Sequence, residues 1–178
     1  MHLDFMRDKS KSMPVVENPK AVKSLRIWYC SYKTFAPISA FENLEELVIA
    51  GFPDTSLEAL SSLHNLQKLH VVHLPKVTDL APLSCFRELK SLSLETLPSW
   101  DSSGKKTVVV SLEPIANIQS LQHLSLFGVV PHDLSLAPIE HCQKLQSAHF
   151  QGYPKAEVAR FFTATGISNA HNPPQIAG

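Results

Sequence analysis

The pattern L-x-x-L-x-L, or a close variant of it, occurs six times along this chain, and nothing else in the sequence narrows the possible folds as far. The copies are Val22-Leu25-Ile27, Leu44-Leu47-Ile49, Leu66-Leu69-Val71, Leu89-Leu92-Leu94, Leu121-Leu124-Leu126 and Leu145-Ala148-Phe150. Their central residues are 22, 22, 23, 32 and 24 positions apart, so only the fourth interval departs widely. A unit of this size cannot bury its apolar face alone. Neighbouring copies must stack and share one core.

A second pattern keeps step with the first: Phe35-Ala36-Pro37-Ile38, Leu57-Glu58-Ala59-Leu60, Leu80-Ala81-Pro82-Leu83, Leu112-Glu113-Pro114-Ile115 and Leu136-Ala137-Pro138-Ile139. Apolar residues recur three positions further on, at Phe41, Leu63, Phe86, Ile118 and Cys142. Each unit therefore joins a segment of period two, which reads as a strand, to one of period three, which reads as a 3₁₀ or short α turn. Proline suits the first turn of such a segment, where its missing N–H costs no hydrogen bond.

These phased motifs resemble the leucine-rich-repeat proteins, and among them the short-repeat class that includes the internalins, whose units also carry an L-x-P-L-like segment. The resemblance runs from Val22 to Pro154, about three quarters of the chain. It implies an α/β fold: a right-handed solenoid with a concave parallel β-sheet and short 3₁₀ or α turns on its convex side. It implies no catalytic residues, since the family shares no active site. One departure stands out. Where these repeats usually place Asn or Cys, three residues past the strand, this chain has Cys30, Phe52, Leu74, Leu97, Val129 and Tyr153, with Pro following at 53, 75, 98 and 154. Apolar packing and stiffened turns are expected to replace the usual polar ladder, leaving loop N–H and C=O groups to water or neighbouring backbone.

The repeat domain is read as residues 20–153, with an insertion near 99–110 that accounts for the long interval. Residues 1–19 are an N-terminal arm or cap, in which Leu3, Phe5 and Met6 either cover the first repeat or belong to a mobile arm. Residues 154–167 read as a C-terminal capping helix, with Pro154 at its start, Val158, Phe161 and Phe162 on one face, and Gly166 able to close it. Residues 168–178, with Pro173-Pro174, read as a disordered tail.

Sixteen Lys and Arg offset sixteen Asp and Glu, which removes the electrostatic footprint of a nucleic-acid or anionic-membrane binder. No apolar run reaches membrane-spanning length, and the N-terminus is charged too early for a signal peptide. Three widely spaced cysteines, Cys30, Cys85 and Cys142, form neither a disulfide framework nor a zinc motif, which fits a reducing, cytoplasmic setting. No phosphate-binding loop, nucleophile elbow or H-E-x-x-H is present. Of the nine histidines, His70 and His149 are expected three strands, about 14 Å, apart, too far to share a metal. No cofactor, metal site or enzymatic activity is therefore expected.

The repeat register assigns one concave row to Arg26, Val48, His70, Ser93, Ser125 and His149, and the next to Trp28, Ala50, Val72, Glu95, Phe127 and Gln151. Apolar centres with charged neighbours resemble the composition of a protein interface. The function expected is thus a non-catalytic protein–protein interaction module. Its partner contacts are Arg26, Trp28, Val48, His70, Val72, Glu95, Phe127 and His149, with Trp100 on the inserted loop. Alternatives are an inhibitor or immunity-type protein that blocks one enzyme or toxin, and a recognition subunit of an enzyme complex. Against these, scattered exposed apolar residues are ordinary, Trp28 and Phe127 can be covered by the arm and the insertion, and Trp100 can tuck against the solenoid edge.

Overall fold

Each L-x-x-L-x-L copy forms a strand because its alternate residues have a core to face, and the computed structural model, which describes residues 1–169, stacks these strands in register. The elements in chain order are β1 (His2–Met6), β2 (Ser24–Trp28), β3 (Glu46–Ala50), β4 (Lys68–Val72), β5 (Ser91–Glu95), α1 (Pro98–Ser102), β6 (Thr107–Val109), α2 (Glu113–Ala116), β7 (His123–Phe127), β8 (Val129–Pro131), β9 (Ser147–Gln151) and α3 (Lys155–Thr165). Strands β1, β2, β3, β4, β5, β7 and β9 form one parallel sheet in that order, and β6 pairs with β8 in a separate two-stranded sheet. One member of each unit lies opposite its equivalent in the next, as in Leu25↔Leu47, Leu47↔Leu69 and Leu69↔Leu92. The core is a column of these leucines and isoleucines, nearly all without solvent exposure, continued by Leu44, Leu66, Leu89 and Leu121.

Opposite the sheet, 3₁₀ turns at Ala36–Ala40, Leu57–Leu60, Ala81–Cys85 and Ala137–His141, and α2, bury Ile38, Leu60, Leu83, Ile139 and Ile115. Each begins with a hydroxyl or carboxylate that accepts from the backbone two residues on: Thr34 from Ala36, Ser56 from Glu58, Asp79 from Ala81, Ser111 from Glu113 and Ser135 from Ala137, at 2.8–3.2 Å. These acceptors satisfy an otherwise orphaned N–H at each turn.

The polar ladder is indeed replaced. Phe52, Leu74, Val129 and Tyr153 are buried, and Phe35 meets Phe52 edge to face at 5.5 Å. The backbone groups just past the strands bond to the neighbouring unit, as in Gly51 N–H to Val72 C=O (2.8 Å), His73 to Glu95 (2.7 Å) and Gly128 to Gln151 (2.9 Å). That turn demands a left-handed residue, filled by Arg7, Tyr29, Gly51, His73, Gly128 and Gly152 in six of the seven units. The seventh, Thr96, leads into the insertion.

The N-terminal segment supplies β1, which extends the sheet by pairing with β2 from His2↔Ser24 to Met6↔Trp28. Leu3 and Phe5 pack against the core, Cys30 Sγ donates to the Phe5 carbonyl at 3.2 Å, and the Tyr32 hydroxyl donates to Asp8 at 2.8 Å. At the other end, α3 places the buried Phe161 against Phe150, with ring centroids 5.0 Å apart. Gly166 ends the helix in the left-handed conformation, and its N–H donates to the Phe162 carbonyl. Arg160 pairs with Glu157 within α3 and ties the helix, at 2.6 Å, to Glu140 of the preceding turn. Ser168, read from sequence as tail, forms an isolated bridge with Ser147, and its carbonyl accepts from Ala148 N–H at 3.2 Å. The remainder of the tail, from residue 170, lies outside the described residues. Among the described residues, no helix is long and apolar enough to cross a membrane.

Candidate functional site

The sheet carries three outward rows, because strand residues between the buried pairs must point away from the core. The register places Asp4, Arg26, Val48, His70, Ser93, Ser125 and His149 in the central row. Met6, Trp28, Ala50, Val72, Glu95, Phe127 and Gln151 form the row nearest the strand C-termini. Side chains in a row stand about 4.8 Å apart, the spacing of paired strands, so their lengths decide which are accessible.

That spacing corrects one expectation. Val48 and Val72 lie on the outward face, yet keep only 7% and 8% of their exposure. Val48 stands between Arg26 and His70, and Val72 lies beside Glu95, so the longer neighbours shade both. They form the floor of the face.

The charges pair between adjacent strands. Arg26 forms a two-pronged contact with Asp4, one arm of it 3.0 Å, which holds the Asp4 carboxyl below its usual range. Lys68 bonds Glu46 at 2.6 Å. His70 Nε2 lies 2.9 Å from Glu95 Oε1, close enough for an ion pair when the imidazole is protonated but not aligned as a hydrogen bond, and Ser93 donates to the same oxygen at 2.8 Å. From β5 onward the central row is Ser93, Ser125 and His149, with no charged residue.

Aromatic side chains stand one strand in from each end of the second row. Half-buried Trp28 meets Tyr29 edge to face at 5.5 Å, and Tyr29 and Met6 beside it are exposed by 43% and 54%. Half-buried Phe127 meets exposed His149 at 4.8 Å. His123 Nδ1 is 2.8 Å from Ser147 Oγ, and burial lowers its pKa. Among the described residues no three His, Cys, Asp or Glu side chains converge as a metal site.

The insertion is more ordered than a loop. Helix α1 carries Trp100, half-buried against His73 with centroids 5.0 Å apart and with the Lys105 ammonium 5.9 Å from its ring centre. The end of the insertion, Thr107–Val109, forms β6 alongside β8. Asp101 accepts from Gln151, and Lys106 donates to the Gly152 carbonyl, so the insertion is fastened to the last repeat. Between α1 and the ends of β5, β7 and β9 lies a cavity of about 230 Å³ lined by Glu95, Thr96, Pro98, Asp101, Phe127 and Gln151. Sequence reasoning identified Glu95 and Phe127 but not this cavity, whose far wall depends on where the insertion docks.

A parallel sheet of stacked, in-register units with short turns on its other side is the architecture of a leucine-rich-repeat solenoid. Among solved structures the chain is similar to internalin C2 from Listeria monocytogenes, with a TM-score of 0.54 and 18% identity over 79% of this chain and 57% of that one. It also matches a second internalin from that organism, with a TM-score of 0.49 and 20% identity over 83% of this chain and 47% of the other. The chain thus spans about half the length of the internalins it matches. At these identities the likeness is one of fold. No protein-family model and no curated protein matches the sequence.

Proposed function

We propose that this chain is a non-catalytic module that binds another protein through the outward face of its sheet, with the inserted segment around Trp100 as a flanking contact. The observation that carries the reading is the second row, where half-buried Trp28 and Phe127 stand four strands apart, each one strand in from an edge of a rigid, in-register surface. Around them Arg26, His70, Glu95 and His149 supply polar contacts, and Val48 and Val72 back the surface from below. Preorganised aromatic anchors lose little entropy when a partner docks. The cysteines favour recognition over nucleophilic chemistry: burial pushes the Cys142 thiol up to about 11 and raises that of Cys85. All three cysteines are free, which agrees with a cytoplasmic setting.

The test is affinity capture from native lysate with wild type and a Trp28→Ala, Phe127→Ala double variant, both shown to be folded by circular dichroism. A protein retained only by wild type supports the reading. Equal retention by both overturns the assignment of the sheet face. An enzyme or toxin that is captured and loses activity would make the chain an inhibitor or immunity-type protein, whereas several partners retained together would make it a recognition subunit of a complex.

A further inference from the structure

The cavity beside α1 has a chemistry that the rest of the face lacks. Its lining brings together two carboxylates from different elements, Glu95 at the end of β5 and Asp101 on α1, with the Phe127 ring, the Gln151 amide and Thr96. Among the described residues, no lysine or arginine lines it. The two lysines of the insertion are turned to other partners, Lys105 over Trp100 and Lys106 to the Gly152 carbonyl. Asp101 is fixed by Gln151, Glu95 by Ser93 and His70, and Phe127 by its edge-to-face contact with His149, so the walls are positioned before anything enters. A volume of about 230 Å³ admits one long side chain. Two carboxylates and an aromatic ring lining one cavity complement the planar, delocalised cation of a guanidinium, or an ammonium, on an apolar stem.

The geometry points to this cavity as the receptor for a single cationic side chain, Arg or Lys, projecting from the protein partner. This rests on the protein-binding reading and adds which residue of the partner enters and where. The stem would pass Pro98 and Phe127 while the head group sits between Glu95 and Asp101.

The experiment is a titration of ¹⁵N-labelled protein with Nα-acetyl-arginine methylamide, Nα-acetyl-lysine methylamide and the uncharged Nα-acetyl-norleucine methylamide, followed at the amides of Thr96, Asp101, Phe127 and Gln151. A saturable shift is expected with at least one cationic probe, with a dissociation constant of about 1–10 mM, and none with norleucine. The Glu95→Gln, Asp101→Asn double variant keeps the shape and removes both charges. It should retain its circular-dichroism spectrum and bind the probe at least ~10-fold more weakly. No saturable shift up to about 50 mM, equal binding of norleucine, or unchanged affinity in the folded double variant would each overturn the assignment. Failure here is distinct from failure of the protein-binding reading: a partner retained equally by wild type and the double variant leaves that reading intact and removes only the cationic side chain.

Discussion

Gly128 is where the repeat geometry and the insertion compete for the same space, and replacing it with alanine should destabilise the array by about 2–4 kcal/mol. Its φ is +66°, and an added Cβ would fall inside the contact distance of Thr96 Oγ1, 3.0 Å from Thr96 Cγ2 and 3.2 Å from Thr96 Cβ. The left-handed backbone alone costs an alanine about 1–2 kcal/mol. Crowding adds about 1–2 kcal/mol more, because Thr96 is buried and its hydroxyl is held by the Phe127 carbonyl at 3.3 Å, so it has little room to yield. Gly104→Ala separates the two effects. Its φ is +74° but nothing lies within 4 Å of the added atom, so it should show the backbone cost alone. Urea unfolding of both variants, together with Thr96→Ala and the Thr96→Ala, Gly128→Ala pair, completes a double-mutant cycle. The pair should be less destabilised than the sum of its singles by about 1 kcal/mol. If Gly128→Ala costs no more than Gly104→Ala, or the cycle shows no coupling, the crowding argument is wrong.

Two further outcomes follow from the C-terminal end. The Arg160 guanidinium and the Leu136 N–H hold the Glu157 carboxyl down to about 2, so its contribution is present above the ordinary value of 4.5 and is lost as pH falls toward about 2. Glu157→Gln should therefore flatten the fall in stability over that window, by about 1 kcal/mol after allowance for solvent screening, in denaturant midpoints measured at pH 5 and pH 3. Tyr153→Phe removes the 2.8 Å hydrogen bond to the Val129 carbonyl and strands a buried acceptor, which should cost about 1–2 kcal/mol in thermal or urea unfolding with no change in the circular-dichroism spectrum.

The sequence already contained the register of the sheet, because the buried pairs Leu25 and Ile27, Leu47 and Ile49, and their successors leave no alternative about which residues face out. It did not reveal β1 as a strand. Leu3 and Phe5 are a fragment of the motif, although they precede Leu25 and Ile27 by one full repeat of 22 residues. The recurring acceptors Thr34, Ser56, Asp79, Ser111 and Ser135 were also visible in the sequence, but they share an action and not a residue type, so a pattern keyed to leucine passes over them. Alternation states which face Val48 and Val72 are on and says nothing about the height of their neighbours, which is why their burial had to come from the structure. The cavity wall at Asp101 was beyond sequence reasoning for another reason: its bond to Gln151 joins residues 50 positions apart, across an intervening strand.

That bond, with the one from Lys106 to Gly152 and the pairing of β6 with β8, makes the insertion a strut across units that otherwise touch only their immediate neighbours. The array is consequently modular at one end and locked at the other. An extra unit of 22 residues spliced between β2 and β4 would lengthen the sheet and leave every strut contact in place. The same unit spliced between β5 and β9 would pull Asp101 away from Gln151, so duplication and loss of repeats in such a chain are tolerable on the N-terminal side and restricted around the cavity.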